Sequence, residues 1–306
     1  MEREGNSGRT DFEKKNVTIN ERNKKERSGS RTGSAVLLIV FVLVFATFFG
    51  AVATDNHGSN GETDIVSSTQ PLILLNDLTG NMSGTGWSFS GTPSDGTLTF
   101  NTDANNETYM IQTTYYRNIS IFFEKEVVTA VTLYNLGITG NITLDNMADV
   151  TLLLLGYSII EGSIFVETGR TITIDSASSS GSTIDSLTVN AVNGAAIGGK
   201  AGFDADPEFG MGGDGGSGGT ITIKGGIVNA TGYGGAGMGG GKGGDGYQGG
   251  DAGNGGDITI TGGIVNATGN GGAGIGGGAG GNGYHSDDHQ GSYNGGDAGT
   301  AVTAAT

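Results

Sequence analysis

The sequence predicts an all-β chain: a right-handed parallel β-helix or solenoid with glycine-rich repeats, preceded by one N-terminal transmembrane helix. Three observations lead there. One charge-free apolar run stands near the N-terminus, short alternating strands recur in register through the middle of the chain, and a glycine-rich unit returns almost unchanged toward the C-terminus.

The chain has 306 residues, 62 of them glycine and 3 proline, and a formal net charge of −16. Collagen is excluded, because glycine does not recur at every third position and proline is too scarce. Most of the glycine lies from Gly181 onward, so the excess belongs to one region and the chain is composite. Cysteine is absent, which removes disulfides, thiolate metal sites and thiol nucleophiles. Beyond residue 31 the only basic residues are Arg117, Lys125, Arg170, Lys200, Lys224 and Lys242. Nucleic acid is therefore not an expected partner, since binding it requires clustered cations.

Ala35 to Ala53 reads AVLLIVFVLVFATFFGAVA, a run without a single charge. As a helix it would span about 28 Å, close to a bilayer core. A basic segment precedes it, from Arg3 to Arg31. The positive-inside rule then places residues 1–34 in the cytoplasm, residues 35–53 in the membrane and the bulk of the chain outside the cell. A signal sequence cleaved after Ala53 would instead make the product secreted; the long charged leader favours an anchor. Residues 54–84 read as a polar spacer and lead-in.

Positions 85–186 are expected to form β-helix coils with a period of about 19–23 residues, in the range typical of solenoids. Runs such as NISI at Asn118, NITL at Asn141, VTLLLL at Val150 and TITI at Thr171 alternate with period 2 and are separated by turn formers. Ile119 and Ile121 are matched to Ile142 and Leu144, then to Ile164 and Val166; Leu133, Leu152 and Ile174 form a second ladder. In a solenoid such aliphatic side chains stack from coil to coil. An antiparallel sandwich also uses many short strands, but its hairpins are spaced more closely.

Positions 187–306 carry the longer repeat, with a period of about 37 residues. GGTITIKGGIVNATGYGGAGMGGG from Gly218 returns as GGDITITGGIVNATGNGGAGIGGG from Gly255, with a degenerate copy from Leu187. By parity Ile221, Ile223, Val228, Ala230, Ala236 and Met238 should point inward, with Ile197, Met238 and Ile275 equivalent. Lys242 to Asn254 and Ala279 to Asp297 offer almost nothing to bury and are expected to be mobile excursions.

The succession ADVTLLLLGYSIIEGSIFVETGRTITIDSASSSGS, followed by GAAIGG, GAGMGGG and GAGIGGG, resembles the glycine-rich, adhesin-like parallel β-helix surface proteins of bacteria and archaea. The resemblance covers roughly Gly84 to Gly299 and implies fold and surface location more firmly than ligand. Two departures stand out: a C-terminal wall-sorting motif is missing, and the chain stops at TAVTAAT without a polar cap, as a truncated family member would.

Several residues are candidates for chemistry. GGKGGDGYQ from Gly240 fits a calcium-binding nonapeptide, which marks Asp245, with Asp251 nearby, as candidate Ca²⁺ carboxylates. Such nonapeptides act in tandem, whereas here they are separated by a whole glycine-rich unit, so a solvated acidic loop is the plainer expectation. His285 and His289 flank two aspartates in a context poor for a helix, and a polar loop tip is expected there too. Tyr233, Tyr247, Tyr284 and Tyr293 could stack on sugar rings or anchor loops. Asn81, Asn106, Asn118, Asn141, Asn229 and Asn266 head N-x-S/T sequons and could carry glycans.

The expected function is a structural or adhesive role at the cell surface, without catalysis or an obligatory cofactor. Its partners would be the membrane, extracellular polysaccharide or neighbouring surface proteins. A carbohydrate-binding module, with or without Ca²⁺, is the alternative. A polysaccharide lyase or hydrolase is a third reading, supported by fold analogy alone.

Overall fold

The computed structural model describes residues 70–92, 94–178, 185–284, 299 and 303–305. Among them the chain is all-β and its sheets are dominated by parallel pairing, an arrangement compatible with the expected solenoid. No helix among the described residues is long and apolar enough to cross a membrane; the predicted anchor lies outside them.

The chain first lays down β1 (Leu72–Leu74), β2 (Gly80–Gly84), β3 (Trp87–Thr92), β4 (Asp95–Phe100), β5 (Thr108–Gln112) and β6 (Asn118–Phe123). It then visits three sheets in rotation. Successive circuits are β7 (Val128–Tyr134), β8 (Gly137–Ile138) and β9 (Ile142–Leu144); β10 (Asp149–Leu155), β11 (Tyr157–Ile160) and β12 (Ile164–Phe165); and β13 (Thr171–Ser176), β14 (Ser186–Asn190) and β15 (Ile197–Gly198). Two more follow: β16 (Thr220–Ile223), β17 (Ile227–Tyr233) and β18 (Met238–Gly239), then β19 (Asp257–Ile260), β20 (Ile264–Asn270) and β21 (Ile275–Gly276), before β22 (Thr303–Ala305). One sheet runs β1-β5-β7-β10-β13-β16-β19-β22, the second β8-β11-β14-β17-β20, and the third β2-β3-β4-β6-β9-β12-β15-β18-β21.

Alternation explains the core. Within Thr171–Ser176, Ile172 and Ile174 are fully buried while the threonines beside them are not, and their partners are Val150 and Leu152 on one side and Ile221 and Ile223 on the other. Each such aliphatic side chain contributes about 1.5–3 kcal/mol, enough to offset the roughly 1–2 kcal/mol cost of ordering its backbone. Ile221, Ile223, Val228, Ala230, Ala236 and Met238, the inward positions of the first copy of the longer unit, are fully buried; Ile197, Met238 and Ile275 pair in one column, whose last member, Ile275, is exposed.

Two ladders need correction. Ile121 pairs with Ile142 and Phe123 with Leu144, so the circuit here is shorter than the sequence match implies, and Ile119 does not face Ile142. Likewise Leu133 pairs with Leu154, while Leu152 pairs with Val131 and Ile174. In each case the register is displaced by two positions. A shift of two preserves which face is apolar, so hydrophobic pattern cannot detect it.

The N-terminal end departs from parallel pairing. β2 and β3 form an antiparallel hairpin, and β3 is antiparallel to β4, so β3 runs against the other strands of the third sheet. Beneath it, Phe100 stacks on Phe123 at 5.0 Å and meets Tyr109 edge-on at 5.1 Å. The Tyr109 hydroxyl donates to the Thr85 carbonyl at 2.9 Å, which satisfies the one polar atom of an otherwise buried ring.

Candidate functional site

The sequence predicts a mobile excursion over Lys242–Asn254, and the segment is instead hydrogen-bonded to its neighbours. The N–H groups of Gly240, Gly243 and Gly246 donate to the carbonyls of Gly276, Ala279 and Asn282, while Gly241 and Gly244 donate to Gly216 and Gly213. Donation toward one neighbour recurs at every third position. That is the period of an extended polyproline II-type chain, whose backbone groups bond outward rather than internally. Segments 199–205, 210–218, 240–246, 250–254 and 278–284 thus bond to one another laterally. Backbone pairing replaces the missing side chains as the source of order. Of the second expected excursion, Ala279–Asp297, residues 285–297 lie outside the described residues, and His285 and His289 with them.

The candidate calcium residues serve these layers. Asp204 Oδ1 accepts the Asp245 N–H at 2.8 Å, and Asp245 Oδ1 accepts the Asn282 N–H at 2.8 Å. Lys242 Nζ lies 3.2 Å from Asp245 Oδ1. Burial would raise the Asp245 carboxyl, but the Asn282 N–H and the Lys242 ammonium hold it below the ordinary carboxylate range. Asp251 repeats the motif, donating its N–H to Asp214 Oδ1 at 2.9 Å. Asp245 and Asp251 are not brought together with a third ligand: among the described residues no group of three or more His, Asp or Glu converges.

The sequons divide by environment. Asn81, Asn106, Asn118 and Asn266 are exposed, whereas Asn141 and Asn229 are half-buried. Asn141 Oδ1 accepts the Ser163 N–H at 2.8 Å. Asn266 Nδ2 donates to Asn229 Oδ1 at 2.9 Å, and Asn229 Nδ2 donates to Thr188 Oγ1 at 3.3 Å, so three successive circuits are joined by a polar ladder.

Of the candidate sugar-stacking tyrosines, Tyr293 lies outside the described residues. Tyr233 is exposed and lines a cleft of about 790 Å³ with Asn193, Asp204, Lys242 and Asn270. Tyr284 turns its hydroxyl to Asp245 Oδ2 at 3.5 Å. Tyr247 is half-buried, its N–H bonded to the Gly210 carbonyl at 2.6 Å. A second cleft, about 440 Å³, lies between Glu161, Phe165, Asn193 and Lys200; there Lys200 Nζ sits 5.4 Å from the Phe165 ring and 3.9 Å from Glu167, which also pairs with Arg170.

A different aromatic group is brought together by register. Tyr115, Tyr116 and Tyr157, all exposed, border a cleft of about 260 Å³ with Thr114, Asn135 and Gly137. Burial, reinforced by Glu161 and Tyr157, raises the Tyr116 phenol. Sequence pattern does not announce this group, because Asn135, Gly137 and Tyr157 come from later circuits than Thr114, Tyr115 and Tyr116. The available signal is that Tyr116, Gly137 and Ile159 follow one another at the same steps as Ile121, Ile142 and Ile164 of the apolar ladder. Comparison with protein-family models, with curated proteins and with solved structures found no match.

Proposed function

We propose that this chain is a membrane-anchored cell-surface protein whose exported part is a right-handed parallel β-solenoid with a structural or adhesive role, and that it is not an enzyme. The observation that carries the non-enzymatic part of this reading is the use made of three shielded carboxylates. Asp185 binds the backbone and serine hydroxyls of a turn, Glu167 pairs with Arg170 and Lys200, and Asp245 holds Lys242 and the next circuit's backbone. Glycoside hydrolysis needs two carboxyl groups about 5–10 Å apart and free to act on a sugar. Carboxylates committed to scaffold bonds are poorly suited to that work. The right hand follows the strong preference of crossovers between parallel strands. The surface location rests on the apolar run at residues 35–53 and the basic segment before it.

Cell fractionation with external protease tests this reading. Co-sedimentation with membranes, a protected basic N-terminal segment and a digestible remainder are expected. A cytoplasmic soluble product would overturn the location. Release of reducing ends or unsaturated products from pectin, alginate or cellulose, abolished by one carboxylate substitution, would overturn the non-enzymatic role. The tyrosine-bordered cleft favours a second reading, a carbohydrate-binding module.

A further inference from the structure

Arg117 pairs with Ile138, and Ile138 with Ile160. One position earlier, Tyr116, Gly137 and Ile159 therefore occupy one outward column on three successive circuits. Tyr116 and Ile159 fill their places, and Gly137 leaves a gap between them. Tyr157, two positions before Ile159 and hence on the same outward face, borders the gap from the side.

Gly137 is a glycine that the backbone does not demand. It lacks the left-handed φ of Gly156 at +73°. It is not crowded either: a Cβ there would sit 3.6 Å from Thr113 Oγ1 and from ring carbons of Tyr116, which is ordinary contact. By contrast, a Cβ on Gly140 or Gly162 would lie 2.4 Å from a carbonyl oxygen of the preceding circuit. Glycine inside a strand weakens it, and a close approach of another molecule is one reason to keep one. What its missing side chain produces here is the open floor of the 260 Å³ cleft.

We propose that this notch binds one pyranose ring of a neutral saccharide. The proposal rests on the carbohydrate-binding reading and supplies its site and ligand class. A pyranose has a C–H face that packs against an aromatic ring and a rim of hydroxyls that need partners; Tyr116 and Tyr157 supply the rings, and the Thr114 hydroxyl, the phenols and the Asn135 amide nitrogen, whose Oδ1 accepts the Tyr157 N–H at 3.0 Å, supply polar groups. Thr113 is already engaged, accepting the Gly137 N–H at 2.6 Å, and serves the wall. No Asp, Glu, Lys, Arg or His borders the cleft, and Glu161, whose charge reaches Tyr116, would repel a uronate. Neutral sugars fit better than acidic ones.

The test uses the full chain in a detergent without a sugar headgroup, titrated calorimetrically with cello-, manno- and galactotetraose and with an alginate tetramer. At least one neutral tetraose should bind. Gly137→Val and Tyr157→Ala should each weaken it by about tenfold, the loss expected for one aromatic contact, with unchanged thermal midpoints, while Tyr233→Ala leaves it intact. If Gly137→Val lowers the midpoint, Tyr116→Ala and Tyr157→Ala decide. Neutral binding that survives the notch variants but is lost in Tyr233→Ala, or binding of alginate alone, overturns the notch and leaves the broader reading standing. Binding of none of the four overturns both.

Discussion

A methyl group added to Gly241 would lie 1.8 Å from the carbonyl oxygen of Lys200, so two backbones meet there with no room for any side chain. Gly244 is held the same way against Phe203 at 1.9 Å. Overpacking of this kind costs about 1–3 kcal/mol, or more where backbone must move. Gly241→Ala should lower the urea midpoint clearly, while Gly137→Ala, whose Cβ has space, leaves it unchanged or slightly raised. Equal midpoints for the two variants would remove the layered packing as a source of stability.

Asp185 gives stability a defined pH dependence. It is buried, and it accepts the Gly156 N–H at 2.9 Å and the Ser176 hydroxyl at 2.6 Å. Burial alone would raise its carboxyl, but these bonds, with those of Ser178, hold it below the ordinary range. A depressed folded-state value means that the unfolded chain binds the proton more readily. The contribution is therefore complete above the unfolded value, about 4, and is lost as pH falls through the lower folded one. Thermal midpoints of wild type and Asp185→Asn should differ at pH 7 and converge below about pH 4. A difference independent of pH would refute the assignment.

Leu152 and Asp245 contrast core with edge. Leu152 is fully buried between Val131 and Ile174, so Leu152→Asp places an unpaired charge in the core and should abolish cooperative folding. Asp245→Asn keeps an acceptor for the Asn282 N–H and loses the ion pair with Lys242 and the second carboxylate oxygen that faces the Tyr284 hydroxyl, a change of about 1–3 kcal/mol that leaves folding cooperative. Circular dichroism with chemical denaturation separates these outcomes, and similar midpoints would sink the ladder.

Two sequons should respond differently to alanine. Asn141→Ala removes the acceptor of the Ser163 N–H, beside a nearly buried serine, and should cost about 1–2 kcal/mol. Asn118 is exposed, and Asn118→Ala should cost about 0.5 kcal/mol or less. Denaturation of the unglycosylated variants measures the difference. An equal cost at both positions would show that Asn141 does not hold the turn.

Alternation and repeat length, both readable in the sequence, determined the faces of the strands. Ile221, Ile223, Val228 and Ala230 point inward because successive residues on a strand face opposite ways, whatever the partner strand. Near-identical repeats also determined the pairing of Met238 with Ile275. Tertiary structure alone decided the rest. Leu133 could face Leu152 or Leu154 with the same apolar face inward, and only the turns between circuits selected Leu154. Ser158 takes an inward place and Ile159 an outward one, against their polarity, because the Ser158 hydroxyl accepts the Leu136 N–H inside the core and register carries Ile159 out beside Gly137. The order of the glycine segments left no hydrophobic trace, since their bonds run between backbones whose residues carry almost no side-chain pattern to read.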